Sequence, residues 1–176
     1  MSTIAFIPAR KNSKRLPGKN TKKINGISLI RYSINFAKKL NFIDDIIIST
    51  DDSKIIQMYK NLKYVKIFKR PKYLSRDKSK TISTIIFTAK QYEKIYTKIQ
   101  TVVLLQPTSP IRSKKSIISA YKNYIKENKK KSVVSVSMTN SNKKKKFTLK
   151  NKKLELCSKN CNSKTVYQLD GNFYIS

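Results

Sequence analysis

Short apolar runs and amphipathic stretches alternate along this chain. Residues 3–8 form an apolar run of strand length, and residues 45–49 carry Ile46, Ile47 and Ile48 in succession. Runs without polar alternation suit strands buried on both faces. Residues 64–68 alternate, residues 101–105 are apolar again, and residues 132–138 are rich in β-branched side chains. Between these segments the spacing changes. Leu29, Ile30, Ile34, Ala37 and Leu40 recur close to a helical period, predicting a helix over 28–40. Asp51, Asp52 and Ser53 are N-cap types ahead of Ile55, Ile56 and Tyr59. Further helices are predicted over 81–95 and 116–128, the latter marked by Ile117, Ile118, Tyr121, Tyr124 and Ile125. Five strands separated by four helices predict an α/β sandwich of three layers around a parallel sheet.

The pattern changes after Met138. Residues 140–146 are polar and end in four consecutive lysines, Lys143 to Lys146. Residues 147–156 read as a hairpin, and residues 171–175 as one more strand. No internal repeat is visible. A length of 176 residues suits a single domain over 1–176 with one sizeable core. No apolar run approaches the roughly 18 residues of a membrane span, and residues 1–10 lack a signal-peptide pattern. A cytoplasmic location without membrane attachment is expected.

Charge complicates this picture. Forty Lys and Arg stand against nine Asp and Glu, a formal net charge of +31. Such a balance first suggests a nucleic-acid partner. Yet 34 of the 40 cations are Lys spread over the whole length, in a chain also rich in Asn, Ile and Tyr. These four residues share A/T-rich codons, so base composition explains the excess without a dedicated surface. The lysine run lacks the interleaved aromatics of a single-strand binder and reads as a solvated loop. Cys157 and Cys161 are the only cysteines, and His is absent. Two thiols alone make a poor zinc site, and free thiols are expected.

Ligands of parallel sheets bind beyond the carboxyl ends of the strands. That rule singles out the loops after Pro8, Ser49 and Leu105. The first of them carries Arg10, Lys11, Lys14, Arg15 and Lys19, with Ser13 as a hydroxyl donor and Gly18 allowing close backbone approach. Arg offers a planar fork to phosphate oxygens and Lys a mobile point charge. The loop can therefore neutralise several negative charges, although neither common glycine-rich phosphate fingerprint is present.

Ile7-Pro8-Ala9-Arg10, Ser13-Lys14 and Leu16-Pro17-Gly18-Lys19-Asn20 resemble the nucleotide-binding signature of the CMP-sialic acid synthetases, the acylneuraminate cytidylyltransferases. The resemblance continues at Ile47-Ile48-Ser49-Thr50-Asp51, Arg70-Pro71 and, most strongly, Leu104-Leu105-Gln106-Pro107-Thr108-Ser109-Pro110-Ile111-Arg112. Asp170-Gly171-Asn172-Phe173-Tyr174-Ile175 is similar to the family's late N-G-x-x-Y-I segment. The resemblance implies a Rossmann-like fold of the nucleotide-diphospho-sugar transferase type with a small β arm. It implies a reaction in which a sialic-type sugar acid attacks CTP, assisted by Mg²⁺. Carried over by position, Ala9, Arg10, Ser13, Lys14, Lys19, Asn20, Arg70 and Thr81 would bind the nucleotide, with Lys19 and Arg10 stabilising charge at the reacting phosphorus. Gln106, Thr108 and Ser109 would meet the sugar acid, and Arg112 would serve structure. Simpler roles stand beside these: Asp51 as an N-cap, Pro107 and Pro110 as turn stiffeners, Arg15 as a solvated side chain.

The chain also departs from the pattern. Synthetases for the eight-carbon acid Kdo read Q-G-D-E-P where this chain has Gln106-Pro107-Thr108-Ser109-Pro110, which favours the sialic-type branch. The resemblance places the metal carboxylates beyond Ser176 and so implies a shortened, weakly catalytic chain. Residues 139–170 match poorly and correspond to an arm that reaches across a homodimer, where Lys143 and Lys164 could meet substrate.

Overall fold

In the computed structural model, residues 1–13, 16–139, 147–150, 153–157 and 165–176 are described. Lys14, Arg15, Lys143 to Lys146, Cys161 and Lys164 lie outside the described residues. In chain order the elements are β1 (Ser2–Pro8), β2 (Lys23–Ile24), β3 (Ile27–Ser28), α1 (Leu29–Lys38), β4 (Asp45–Thr50), α2 (Ser53–Tyr59), β5 (Val65–Lys69) and α3 (Thr81–Glu93). There follow β6 (Ile99–Leu104), α4 (Lys114–Lys126), β7 (Val133–Met138), β8 (Phe147–Lys150), β9 (Lys153–Leu156) and β10 (Tyr167–Ile175). Each predicted strand and helix is present, with ends shifted by a few residues where helices fray. No described helix is long and apolar enough to cross a membrane.

Alternation along the central strands sorts the core into two layers. Ala5 and Ile7 of β1 and Ile46 and Ile48 of β4 face α1, α2 and α4, meeting Ile30, Ile34, Ile55, Tyr59, Ile117 and Tyr124. Ile4, Phe6 and Ile47 take the opposite face and meet Tyr92 and Ile85 of α3. The sandwich is lopsided, with three helices on one face and one on the other. The second face also buries polar groups, Ser49, Arg70, Thr84 and Thr88, close to the strand ends.

Four strands run parallel in the order β5-β4-β1-β6. The sheet is thus mostly parallel, as expected, but the five strands predicted between the helices are not all neighbours. β10 inserts beside β6 and pairs antiparallel with both β6 and β7, so β7 is one place further out. Periodicity reports which face a strand buries and carries no information on its neighbour, so the last strand could take that slot unseen. β8 and β9 form the expected hairpin and extend the sheet from the start of β10. Within the basic segment, Asn25 (φ 48°) and Gly26 (φ 76°) close a small β2–β3 hairpin. Asn-Gly with two positive φ angles is the type I′ signal, and the periodicity reading passes over it.

The cap of α2 settles one open choice. Asp52, with extended backbone, accepts the Lys54 amide at 3.0 Å. Asp52→Ala is expected to lower stability by about 1 kcal/mol, read from the midpoint of chemical denaturation.

Candidate active site

The chain reverses direction of growth between β1 and β6: β4 and β5 lie on one side of β1, and β6 on the other. The crevice beyond the strand ends at such a switch point is the expected ligand site. A cavity of about 260 Å³ opens there, lined by Arg10, Lys19, Asn20, Arg70, Thr81, Gln106, Thr108 and neighbours on the same loops.

The cationic wall is built from the end of β4. Pro8 ends β1, and the next residue, Ala9, is fully buried with its amide donating to the Ser49 carbonyl at 3.0 Å. The Thr50 hydroxyl donates to the Ala9 carbonyl. One residue further, the Lys11 amide donates to Asp51 Oδ1 at 2.7 Å, so Asp51 anchors the basic loop while Asp52 caps the helix. Asn20, 4% exposed, closes the loop by donating from Nδ2 to the Arg10 carbonyl at 3.0 Å. Gly18 takes φ 64°, a left-handed turn that starts the short 3₁₀ segment Lys19–Thr21 and brings Lys19 to the cavity.

Arg70 enters from the end of β5. Its amide donates to the Thr50 carbonyl at 2.7 Å, and Nη2 donates to the Ser49 carbonyl at 2.9 Å. The residue is 7% exposed, and its Nε has no partner among the described residues. Burial lowers the Arg70 pKa to about 10; Asp51 opposes that shift and Arg10 adds to it. A guanidinium held under these conditions has an unmet donor and gains from an arriving acceptor. Thr81 opens α3, and Lys80 at its N-cap gives no side-chain bond to the first turn. Thr81 and Thr84 of that first turn line the cavity, and a helix N-terminus there favours an anion.

Across the cavity, Gln106, Pro107 and Thr108 form a neutral polar wall after β6. Gly171 of β10 packs behind it, where a β-carbon would come within 3.2 Å of Ser109 Oγ.

Seven residues singled out in the sequence therefore share one cavity: Arg10, Lys19, Asn20, Arg70, Thr81, Gln106 and Thr108. Three others have different placements. Ala9 lies beneath the loop. Ser13 borders a neighbouring cavity of about 570 Å³ with Lys11 and Gly18. Ser109 donates to the Asp170 carbonyl at 3.3 Å. The sequence reading passes over the loop between β5 and α3, which adds Arg76, Asp77 and Ser79 to the lining. Asp77 forms a 2.9 Å ion pair with Arg10. Its signal was its rarity, since only nine acidic residues occur in the chain.

A family model described as cytidylyltransferase matches residues 4–170. The chain belongs to the cytidylyltransferase family.

Among curated relatives, a CMP-N,N'-diacetyllegionaminic acid synthase of Legionella pneumophila is 33% identical over all of this chain and 78% of its own length. An N-acylneuraminate cytidylyltransferase of Escherichia coli is 35% identical over 78% of the chain and 32% of its own length. A pseudaminic acid cytidylyltransferase of Campylobacter jejuni is 32% identical over 74% of the chain. The chain spans only 56% of that relative. A solved CMP:2-keto-3-deoxy-manno-octonic acid synthetase complexed with CTP superposes with a TM-score of 0.77. It covers 99% of this chain and 73% of its own at 15% identity, a likeness of fold.

Mg²⁺, which the resemblance implies, is usually held by one or two carboxylates together with substrate phosphates. Among the described residues, no group of three metal-ligating side chains gathers. Asp77, the carboxylate that borders the cavity, is engaged by Arg10. No step of the chemistry below is assigned to a metal.

Two predictions follow from the cationic wall. Lys19→Ala is expected to abolish the thermal stabilisation that CTP confers on the wild-type protein. Asp77→Asn is expected to tighten CTP binding about threefold in a calorimetric titration, in line with an exposed ion pair worth less than about 1 kcal/mol.

Proposed function

We propose that this cytidylyltransferase activates a nonulosonic, sialic-type sugar acid with CTP, giving a CMP-sugar and pyrophosphate. One observation carries the reading: a single cavity joins a wall of cations to a wall of neutral polar groups. The first suits a triphosphate, and the second suits a polyol. The anomeric oxygen forms a bond to the α-phosphorus while the bond to the bridging β-phosphate oxygen breaks, and the hydroxyl proton passes to water. Phosphoryl chemistry of this kind needs placement and charge stabilisation rather than a protein nucleophile. A chain without His is not handicapped by that requirement.

Arg10 and Lys19 meet the charge that develops on the reacting phosphate and on departing pyrophosphate. Arg70, with its unmet Nε donor, and Asn20 hold the nucleoside end. Gln106 and Thr108 orient the sugar acid. The Legionella relative, matched over the whole chain, makes N,N'-diacetyllegionaminic acid the first acceptor to try.

The test is pyrophosphate release from CTP with Mg²⁺ and a panel of N,N'-diacetyllegionaminic, N-acetylneuraminic and pseudaminic acids and Kdo. Release is expected with a nine-carbon acid, and about tenfold less with Kdo. The rival reading, a nucleic-acid binder driven by the charge of +31, predicts duplex binding that weakens steeply with salt. Such binding, together with no response to CTP, would overturn the proposal.

A further inference from the structure

We propose that Arg112 is a positioning residue for the sugar-acid side of the cavity, its guanidinium fork joining the loop after β6 to a bulge in β10. The inference rests on the function proposed above for its consequence, and on geometry alone for the clamp itself.

The bulge comes first. On β10, Leu169 pairs with Val136 and Tyr174 with Val134. Residues 170–173 therefore stand opposite Ser135 alone. A bulge of this size bends the strand and redirects its backbone. Gly171, at φ 75°, makes the turn possible without strain. The bulge is held from the β7 side by one hydroxyl: Ser135 Oγ donates to Asp170 Oδ1 and accepts the Phe173 amide at 3.0 Å. Asp170 Oδ1 also accepts the Asn172 amide at 2.9 Å.

From the β6 side the holder is Arg112. Its Nε donates to the Asn172 carbonyl at 2.7 Å, Nη2 to the Gln106 carbonyl, and Nη1 to Ser33 Oγ at 3.3 Å. Its guanidinium also lies 5.7 Å from the Phe36 ring centre. Every nitrogen of the fork is thus committed to the protein, and the three partners lie on α1, on the β6 loop and on β10. Burial draws the Arg112 pKa down to about 10, and no carboxylate among the described residues offsets the cost.

Arg112 is therefore unsuited to hold the sugar's carboxylate directly. It acts through the backbone of Gln106, the residue that begins the neutral wall of the cavity. Ser109 bonds Asp170, and Gly171 packs against Ser109, so the loop and the bulge move as one piece. The cationic wall hangs instead on Ser49, Thr50 and Asp51. Loss of the fork should consequently disturb one substrate and spare the other. A lysine keeps the charge, but its single nitrogen cannot reproduce the planar fork that spans these three acceptors.

The experiment compares wild type, Arg112→Lys and Arg112→Met. Amide exchange by NMR is read at Ser109 and Asn172, with Ile7 and Ile48 as reporters of the folded core. Exchange at the first pair is expected to rise about tenfold in both variants while the core stays protected. With the acid that wild type accepts from the panel, KM for that acid is expected to rise about tenfold, and KM for CTP to change less than twofold. Gly171→Ala, which presses a β-carbon on Ser109, is expected to give the same split. Rescue by Arg112→Lys, unchanged exchange at Ser109 and Asn172, or a parallel rise in both KM values would overturn the inference. If wild type transfers to no acid, the proposed function fails, and the exchange measurement still decides whether the clamp exists.

Discussion

The end of β4 is the anchor on which the cationic half of the cavity depends. Three consecutive residues, Ser49, Thr50 and Asp51, exchange hydrogen bonds with both neighbouring strand ends. The Ser49 carbonyl receives the Ala9 amide and the Arg70 guanidinium, and its hydroxyl accepts from Thr88 at 3.1 Å. Thr50 bonds Ala9 on one side and Arg70 on the other. Asp51 takes the Lys11 amide. A central strand, buried on both faces, is a rigid support, so side chains that repel one another are held at fixed separations before any ligand arrives.

That arrangement has an electrostatic cost that the ligand can offset. Burial disfavours the charged form of Arg70 most, and the neighbouring Arg10 adds to that cost. Asp77 supplies a partial remedy for Arg10 from the loop between β5 and α3. Both partners of that pair are partly exposed, so the pair is weak and a multiply charged phosphate can displace it. Net charge of the whole chain contributes attraction at long range, screened beyond about 10 Å at ordinary salt. Recognition at short range belongs to the few cations that β1 and β5 deliver.

The other half of the cavity is organised by different means. Gln106 and Thr108 carry no charge, and the backbone of Gln106 is tied through Arg112 to the bulge of β10 that Ser135 holds. This division of labour suits a transferase with two chemically unlike substrates. One wall is tuned by charge and the other by shape and hydrogen bonding.

Much of the molecule was legible in the chain itself. Strand and helix periods are local properties, and they fixed the elements, the buried face of each and the loops that follow strand ends. The loops carrying Arg10, Lys19 and Gln106 then pointed to a common site, because parallel strands send their ends to the same edge, while Arg70 was legible only through the family resemblance. Adjacency was not legible. Nothing in residues 167–175 reveals that β10 enters between β6 and β7, since pairing depends on which edge is free once the other strands have docked. The roles of Asp77 and Ser135, and the partners of Arg112, were hidden for the same reason: those partners lie elsewhere in the sequence, and only the folded chain brings opposite charges and open carbonyls within bonding distance.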